Sequence, residues 1–202
     1  MKNIVFDLGG VLIDWNPRFL YRKLFQKESE MEYFLGHICT QEWNEQQDGG
    51  RSFAEGEAEL IAKHPEFEAF ISAYHFRWPE MLNGPIAGTV KILAKLAEQK
   101  KVRLLALTNW SAETFPYAEK NFEFLKTFDT IVVSGRIKLK KPDPAIFHHL
   151  IEVGKIKAQE TLFIDDNQQN IQTAQAMSFH AEHFKSSELL EKRLRNLGVL
   201  TF

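Results

Sequence analysis

The chain has 202 residues, 44% hydrophobic and 26% charged, a composition typical of one globular domain or one domain with an insertion. The formal net charge of -2 excludes a global basic field for nucleic acid, and the single cysteine excludes an intramolecular disulfide. No apolar run approaches the roughly 20 residues that span a bilayer. We therefore expect a cytoplasmic protein with no nucleic-acid or membrane partner.

The first predicted strand covers residues 2–6 and stops at Asp7, which is followed closely by Gly9 and Gly10. A short apolar strand that ends at a carboxylate places that group at the carboxyl edge of a sheet, where open α/β sheets bind ligands. Glycine allows the backbone to approach a bound group closely. Asp7 is therefore a candidate nucleophile or metal ligand, although a turn-initiating aspartate explains this segment equally well when it is considered alone.

Residues 17–82 are predicted to be mostly helical, without a strand, because their apolar side chains recur at helical spacing. Glycine-containing breaks are predicted at residues 48–50 and 83–85. Beyond them, helices and strands alternate, which implies parallel βαβ units. The predicted strands cover 102–107, 130–133, 161–164 and 180–183, and the predicted helices 86–99, 111–121, 143–153 and 167–177.

This order predicts an α/β protein in which a helical cap, residues 16–83, is inserted after the first strand of a parallel sheet. The core then comprises residues 1–15 and 84–202. Because all crossovers between parallel strands have the same hand, the carboxyl ends of the strands share one edge. Chemistry-bearing side chains that are distant in sequence are therefore expected to meet there.

Polar residues follow the ends of several predicted strands: Thr108-Asn109, Ser134-Gly135 and Asp165-Asp166. Each of these pairs is also explained as a turn or as the cap of the next helix, and Lys141, just before a predicted helix, could be merely solvated. Taken together, however, they would place three carboxylates in one small site. Such groups repel one another unless one is protonated or a cation compensates them.

A hard divalent cation with oxygen ligands, such as Mg²⁺, is the natural solution to that repulsion. Lys141 would then offset negative charge on a phosphoryl group beside Asp7. Thr108 and Asn109, at the start of a predicted helix, would offer a seat for phosphate oxygens.

Four segments resemble, in the right order, the motifs of the haloacid dehalogenase-like (HAD) superfamily: Phe6–Leu12, Leu107–Asn109, Lys141–Pro144 and Phe163–Asn167. The resemblance covers essentially the whole chain and is greatest to small bacterial sugar-phosphate phosphatases that begin with a similar Phe-Asp-Leu-Gly stretch. It implies a Rossmann-like core with a helical cap and a Mg²⁺-dependent phosphatase of small phosphate esters, with sugar phosphates as the expected substrates.

The resemblance also implies roles for individual residues. Asp7 is expected to attack phosphorus and form an aspartyl-phosphate, which water then hydrolyses. Thr108 and Asn109 are expected to hold the phosphoryl oxygens, and Lys141 to neutralise charge on the nucleophile and the phosphate.

The expected Mg²⁺ ligands are Asp7, the carbonyl group of Gly9 and Asp166, with Asp165 either as a further ligand or directly behind them. Arg18, which follows the first motif closely, is the expected cap-side contact to substrate. A solvated surface arginine is the ordinary alternative for that residue.

Gly9 departs from the family pattern, because most family phosphatases have a second aspartate at this position. That aspartate protonates the leaving group, and a positioned general acid typically contributes about 10²–10⁴-fold to the rate. We therefore expect weak activity on poor leaving groups unless Asp14, a cap residue or the substrate supplies the proton.

Two other functions are compatible with parts of this pattern. The first is a 2-haloacid dehalogenase, which also lacks the second aspartate and works without metal, although Asp165 and Asp166 would then repel its carboxylate substrate. The second is a non-catalytic binding protein that has kept the fold, because fold alone does not establish activity. Retention of Asp7, Lys141 and Asp166 together argues against the second.

Overall fold

The computed structural model describes residues 1–201 and is built around a five-stranded parallel sheet. A second sheet contains two short antiparallel strands. In chain order the strands are β1 (Asn3–Phe6), β2 (Ile13–Trp15), β3 (Leu82–Pro85), β4 (Arg103–Thr108), β5 (Thr130–Val133), β6 (Thr161–Asp165) and β7 (His180–His183). The parallel sheet has the order β5-β4-β1-β6-β7, and β2 pairs with β3.

Eleven helices follow or lie between these strands within the described residues. They are α1 (Arg18–Tyr21), α2 (Glu28–His37), α3 (Gln41–Asp48), α4 (Phe53–Lys63), α5 (Glu68–Phe76), α6 (Ala87–Gln99), α7 (Phe115–Asn121), α8 (Ser134–Ile137), α9 (Pro144–Gly154), α10 (Gln168–Ala176) and α11 (Ser187–Asn196). Short 3-10 turns cover Pro65–Phe67, Trp78–Met81, Glu123–Thr127 and Ala158–Glu160. Among residues 1–201, no helix combines the length and the apolar character that crossing a membrane requires.

The central strand is β1, which pairs in parallel with β4 on one side and β6 on the other. All four of its residues are buried, as expected for a parallel strand covered on both faces. Because side chains alternate along a strand, Val5 packs into one apolar cluster while Ile4 and Phe6 pack into another. Asp7 follows directly and is thereby fixed at the middle of the carboxyl edge.

The first cluster, with Val5, is enclosed by side chains of α9 and α10, including Leu150 and Ile171. The second cluster, with Ile4 and Phe6, continues into the helices α1–α5, which we call the cap. Within the cap, aromatic rings pack closely; the Tyr21 and Phe34 ring centroids lie 4.9 Å apart. One apolar core therefore runs from the sheet into the cap.

The α/β fold with helices inserted after the first strand is confirmed, and the segment 180–183, predicted as a short fifth strand of the parallel sheet, forms β7. Residues 83–85, predicted as a break, instead belong to β3. This strand pairs with β2, so the chain enters and leaves the cap through two adjacent strands. The strand was missed because its pairing is non-local and its sequence, Asn-Gly-Pro, is typical of turns. The domain limits 1–15, 16–83 and 84–202 stay a prediction; β2 ends at the first limit, and β3 extends across the second.

Helix α9 provides a test of the packing. Leu150 is fully buried, whereas Val153 on the same helix is 43% exposed. We expect Leu150→Ala to lower the free energy of unfolding by about 2–5 kcal/mol, because a large apolar side chain is removed from a filled core. Val153→Ala should change it by no more than about 0.5 kcal/mol, as is usual at the surface. Urea denaturation measures both; equal effects would contradict this packing.

Candidate active site

Three carboxylates meet where the central strands end. Asp7 follows β1, Asp165 ends β6, and Asp166 comes next along the chain. One oxygen from each carboxylate can be chosen such that all three lie within 4.8 Å of one another. The register explains this convergence: Phe6 of β1 pairs with Ile164 of β6, and the next residue after each of them is an aspartate, Asp7 or Asp165. The structure thus brings together these three side chains as the sequence predicts.

Lys141 lies beneath the carboxylates and is almost completely buried. Its Nζ atom lies 2.6 Å from Asp165 Oδ2 and 3.0 Å from Asp7 Oδ1, and it donates a hydrogen bond to the Leu107 carbonyl at 2.8 Å. Burial favours the neutral amine, but the charges of Asp165 and Asp7 outweigh it and raise the pKa of Lys141. The lysine therefore remains an ammonium group and links the ends of β1, β4 and β6.

Asn109 fixes the backbone of that lysine. Its Oδ1 accepts a hydrogen bond from the Lys141 N–H at 2.8 Å, and its Nδ2 donates to the Lys141 carbonyl at 2.9 Å. Asn109 also lines the cavity above the carboxylates. Because an amide NH₂ group has two protons, one remains for a ligand after this clamp is formed.

Burial and charge repulsion both act on Asp7. Burial raises the pKa of Asp7 to about 8; Lys141 opposes the rise, whereas Asp165 and Asp166 add to it. Three carboxylates face one lysine here, so with all three ionised the carboxyl edge holds more negative charge than the lysine compensates. Oxygen ligands and a surplus of negative charge are what a hard divalent cation requires, so the residues fit Mg²⁺.

The two glycines after Asp7 have different structural roles. Gly10 has a φ angle of +72°, and a Cβ atom there would overlap the Asp166 carboxylate, so only glycine fits. Gly9 lines the cavity, and a Cβ atom at this position would meet nothing within 4 Å. The space that an acid could occupy at position 9 is therefore present, while the acid is not.

Thr108, the last residue of β4, is fully buried. Its hydroxyl oxygen makes no hydrogen bond within residues 1–201. A buried hydroxyl without a partner costs free energy, so such groups are exceptions that call for an explanation. Thr108 therefore has a hydroxyl without a partner next to Asn109, the residue that holds Lys141, although Thr108 itself is not among the residues that line the cavity above the carboxylates.

A cavity of about 410 Å³ opens over the carboxylates. The core contributes Asp7, Lys141, Asp166 and Asn109 to its lining, and the cap contributes polar residues of α3. Aromatic side chains complete the walls. The α3 residues are Gln41, Asn44, Glu45 and Asp48, and the aromatic residues are Trp15, Phe53, Trp78 and Trp110.

Arg18 does not reach this cavity. Its guanidinium group forms two hydrogen bonds of 2.6 Å with Glu32, on the helix α2, and the residue is absent from the cavity lining. This position gives no support to the predicted contact between Arg18 and substrate. Asp14, considered as a replacement acid, accepts a hydrogen bond from Asn83 at 2.9 Å and also lies outside the lining.

Sequence reasoning missed Asn170 and Asp48. Asn170 donates to both oxygens of Asp165 at 3.0 Å, and the N–H of Asn167 donates to Asp165 Oδ1 at 2.8 Å. The spacing of three residues between Asn167 and Asn170 at a helix start was the available signal. The sequence Asp48-Gly49-Gly50 predicts only a break, whereas the i,i+4 spacing of Asn44 and Asp48 places both on one helix face.

The comparisons with known proteins agree with this geometry. The family model described as haloacid dehalogenase-like hydrolase matches residues 4–181. A sesquiterpene phosphatase of Aspergillus oryzae is 28% identical over 197 residues, covering 97% of this chain and 96% of that protein. A phosphoglycolate phosphatase of Photobacterium profundum is 27% identical over 187 residues, covering 89% of this chain and 81% of that protein.

Among solved structures, a HAD-family enzyme of Bacteroides thetaiotaomicron, in complex with magnesium and inorganic phosphate, is 26% identical. It superposes with a TM-score of 0.69, covering 92% of this chain and 95% of that one. The family match spans most of the chain, and the carboxylates and the lysine stand where the four sequence motifs predict them. The chain belongs to the haloacid dehalogenase-like hydrolases.

Proposed function

We propose that this hydrolase is a Mg²⁺-dependent phosphatase of small phosphate monoesters that works through an aspartyl-phosphate at Asp7. The observation that carries the proposal is the junction of Asp7, Asp166 and Lys141 at the floor of one cavity. A nucleophile, a cation ligand and a fixed positive charge there match the needs of phosphoryl transfer. The magnesium and phosphate bound by the Bacteroides relative support the same chemistry.

Asp7, Asp166 and the carbonyl group of Gly9 would hold Mg²⁺. The cation would supply positive charge that orients the phosphoryl group and stabilises the charge that develops on it. Asp165 has a different role in this proposal, because its oxygens already accept hydrogen bonds from Lys141, Asn167 and Asn170. It holds the lysine in place behind the ligands.

The chain's own residues then perform the transfer. The Asp7 carboxylate attacks phosphorus, and the ester oxygen leaves with the electrons of the broken P–O bond. Lys141 stabilises the negative charge at the nucleophile and the phosphoryl group. The free hydroxyl of Thr108 and the second amide proton of Asn109 hold phosphoryl oxygens. Water then releases phosphate from Asp7.

The cavity favours a monophosphate whose organic part is uncharged. Among the described residues that line it, Asp7, Glu45, Asp48 and Asp166 are acidic and only Lys141 is basic. A second phosphate or carboxylate on the substrate would meet repulsion rather than a cation. The aromatic walls suit an apolar body or the face of a sugar. Sugar phosphates fit this description, as do phosphate esters of apolar alcohols, whereas phosphoglycolate carries a carboxylate in addition to its phosphate.

The nucleophile is tested by Asp7→Asn, which preserves shape but removes the attacking carboxylate. We expect phosphate release from a panel of phosphate monoesters to fall by at least about 10³-fold, the scale seen when a catalytic nucleophile is removed. The control Asp129→Asn changes an exposed aspartate that pairs with Arg103 and should keep full activity. Undiminished turnover by the Asp7 variant would refute the proposed intermediate.

Removal of metal separates a phosphatase from a dehalogenase. Treatment with EDTA should abolish phosphate release, and added Mg²⁺ should restore it, because the three carboxylates would otherwise face a phosphate without compensation. Chloride release from 2-chloropropionate is measured in the same samples. Dehalogenation that persists in EDTA, without phosphatase activity, would instead assign the dehalogenase function.

The role of Thr108 is tested against a matched residue. Thr89 on α6 is also fully buried, and its hydroxyl likewise has no hydrogen-bond partner within residues 1–201. Neither Thr→Val change should lower stability appreciably, since neither removes a hydrogen bond. Thr108→Val should weaken inhibition by inorganic phosphate by about 10- to 100-fold, the value of a hydrogen bond to a charged group of about 1.5–3 kcal/mol. Thr89→Val should leave it unchanged; equal inhibition constants for both variants would contradict the assignment.

A further inference from the structure

Position 9 leaves the proposed reaction without a proton donor. An alkoxide leaving group must be protonated as the P–O bond breaks, and the attacking water must later lose a proton. Gly9 has no side chain to do either, and Asp14 lies outside the cavity. A replacement has to come from another residue that faces the same cavity.

Four carboxyl groups line the cavity in the described part of the chain: Asp7, Glu45, Asp48 and Asp166. Asp7 and Asp166 belong to the cation cluster. Glu45 forms an ion pair of 2.8 Å with Lys140. Asp48 has no ion-pair partner within 4.0 Å among residues 1–201, which leaves it as the candidate proton carrier.

The structure fixes Asp48 against the ends of the catalytic strands although it belongs to the cap. Its carbonyl oxygen accepts a hydrogen bond of 2.5 Å from Ser134 Oγ, at the end of β5. The same Oγ accepts from the N–H of Trp110, two residues after Thr108, at 2.9 Å. On the side chain, Oδ2 accepts from Asn44 Nδ2 at 3.1 Å. Asp48 therefore lines the same cavity as Asp7 and Asp166, and hydrogen bonds to its backbone and its side chain hold it in position.

We propose that Asp48 is the general acid and base of this phosphatase and replaces the aspartate missing at position 9. The inference rests on the proposed phosphatase function and adds to it the residue that moves the proton. Because Asp48 ends α3, the cap would provide part of the catalytic machinery and not only the walls of the substrate site.

The proton balance is simple. In the first step Asp7 bonds to phosphorus, the P–O bond to the organic group breaks, and Asp48 gives its proton to the departing oxygen, forming the alcohol. In the second step water attacks phosphorus and gives a proton to the Asp48 carboxylate as the bond to Asp7 breaks. Phosphate leaves, and both side chains return to their starting states.

The electrostatic surroundings suit such a role. Burial raises the pKa of Asp48 to about 7, and Glu45 adds to the rise; Lys140 and the backbone N–H of Ser111 oppose it. Among the described residues, the other ionisable side chains that line the cavity are Asp7, Asp166 and Lys141, together with Glu45. A carboxyl group with a pKa near neutrality can both donate and accept a proton at working pH.

The experiment compares Asp48→Asn with wild type on two substrates in saturating Mg²⁺: p-nitrophenyl phosphate, whose leaving group needs no proton, and an alkyl phosphate such as ribitol 5-phosphate, whose leaving group does. We expect kcat/KM on the alkyl phosphate to fall by about 10²–10⁴-fold, with a loss below about tenfold on the aryl phosphate.

The pH profile gives a second readout. The wild-type rate on the alkyl phosphate should decline as pH rises above about 7, because Asp48 is then deprotonated, and the variant should lose that decline.

Two further variants keep the test decisive. Glu42→Gln, an exposed change on the same helix, should behave as wild type. Gly9→Asp, added to Asp48→Asn, should restore the alkyl phosphate activity, because position 9 has room for a side chain. Equal losses on both substrates, with the pH profile unchanged, would overturn the role of Asp48 and leave the phosphatase intact. No Asp7-dependent release from either substrate would overturn the phosphatase itself.

Discussion

A buried ammonium group holds the whole site together. Lys141 Nζ contacts Asp7, Asp165 and the carbonyl of Leu107, so three strand ends are tied to one charge. Burying an unpaired charge is costly, and removing one partner of a buried ion pair typically costs about 3–5 kcal/mol. The lysine therefore needs both carboxylates, and the carboxylates need it to remain close together. Asn109 and Asn170 complete this arrangement by fixing the lysine backbone and the Asp165 oxygens.

The same arrangement leaves negative charge on the carboxylates that Lys141 does not compensate, and this surplus of negative charge is the basis of the proposed chemistry. One lysine faces three carboxylates, and burial together with its acidic neighbours raises the pKa of Asp7. In the proposal, Asp7 and Asp166 would hold Mg²⁺, whose charge would compensate the surplus. Stability and function thus depend on the same charges, since the residues that neutralise the buried lysine are those that would bind the cation and attack phosphorus.

The sequence was most informative where local pattern and function coincide. Apolar strands that stop at Asp7, Thr108 and Asp165 predicted a sheet of parallel strands and the edge where these residues meet. It was least informative about contacts that depend on distant segments. Pairing between β2 and β3 joins Asp14 to Gly84, and no local pattern distinguishes that glycine from one in a turn. Arg18 was expected near substrate because it follows the first motif, but its direction is set by Glu32, a residue of another helix.

Asp48 shows the same limit. Its sequence context, before two glycines, indicates a helix end, whereas its place in the lining of the cavity and its contact with Ser134 depend on how the cap packs on the sheet.

The most direct test of the central claim is a crystal structure of the protein grown with Mg²⁺ and beryllium fluoride, a mimic of the phosphoryl group. We expect beryllium bonded to an Asp7 oxygen, Mg²⁺ bound by Asp7 and Asp166, and Lys141 Nζ in contact with both Asp7 and the fluoride group. An unmodified Asp7, or a cation bound away from these carboxylates, would contradict it.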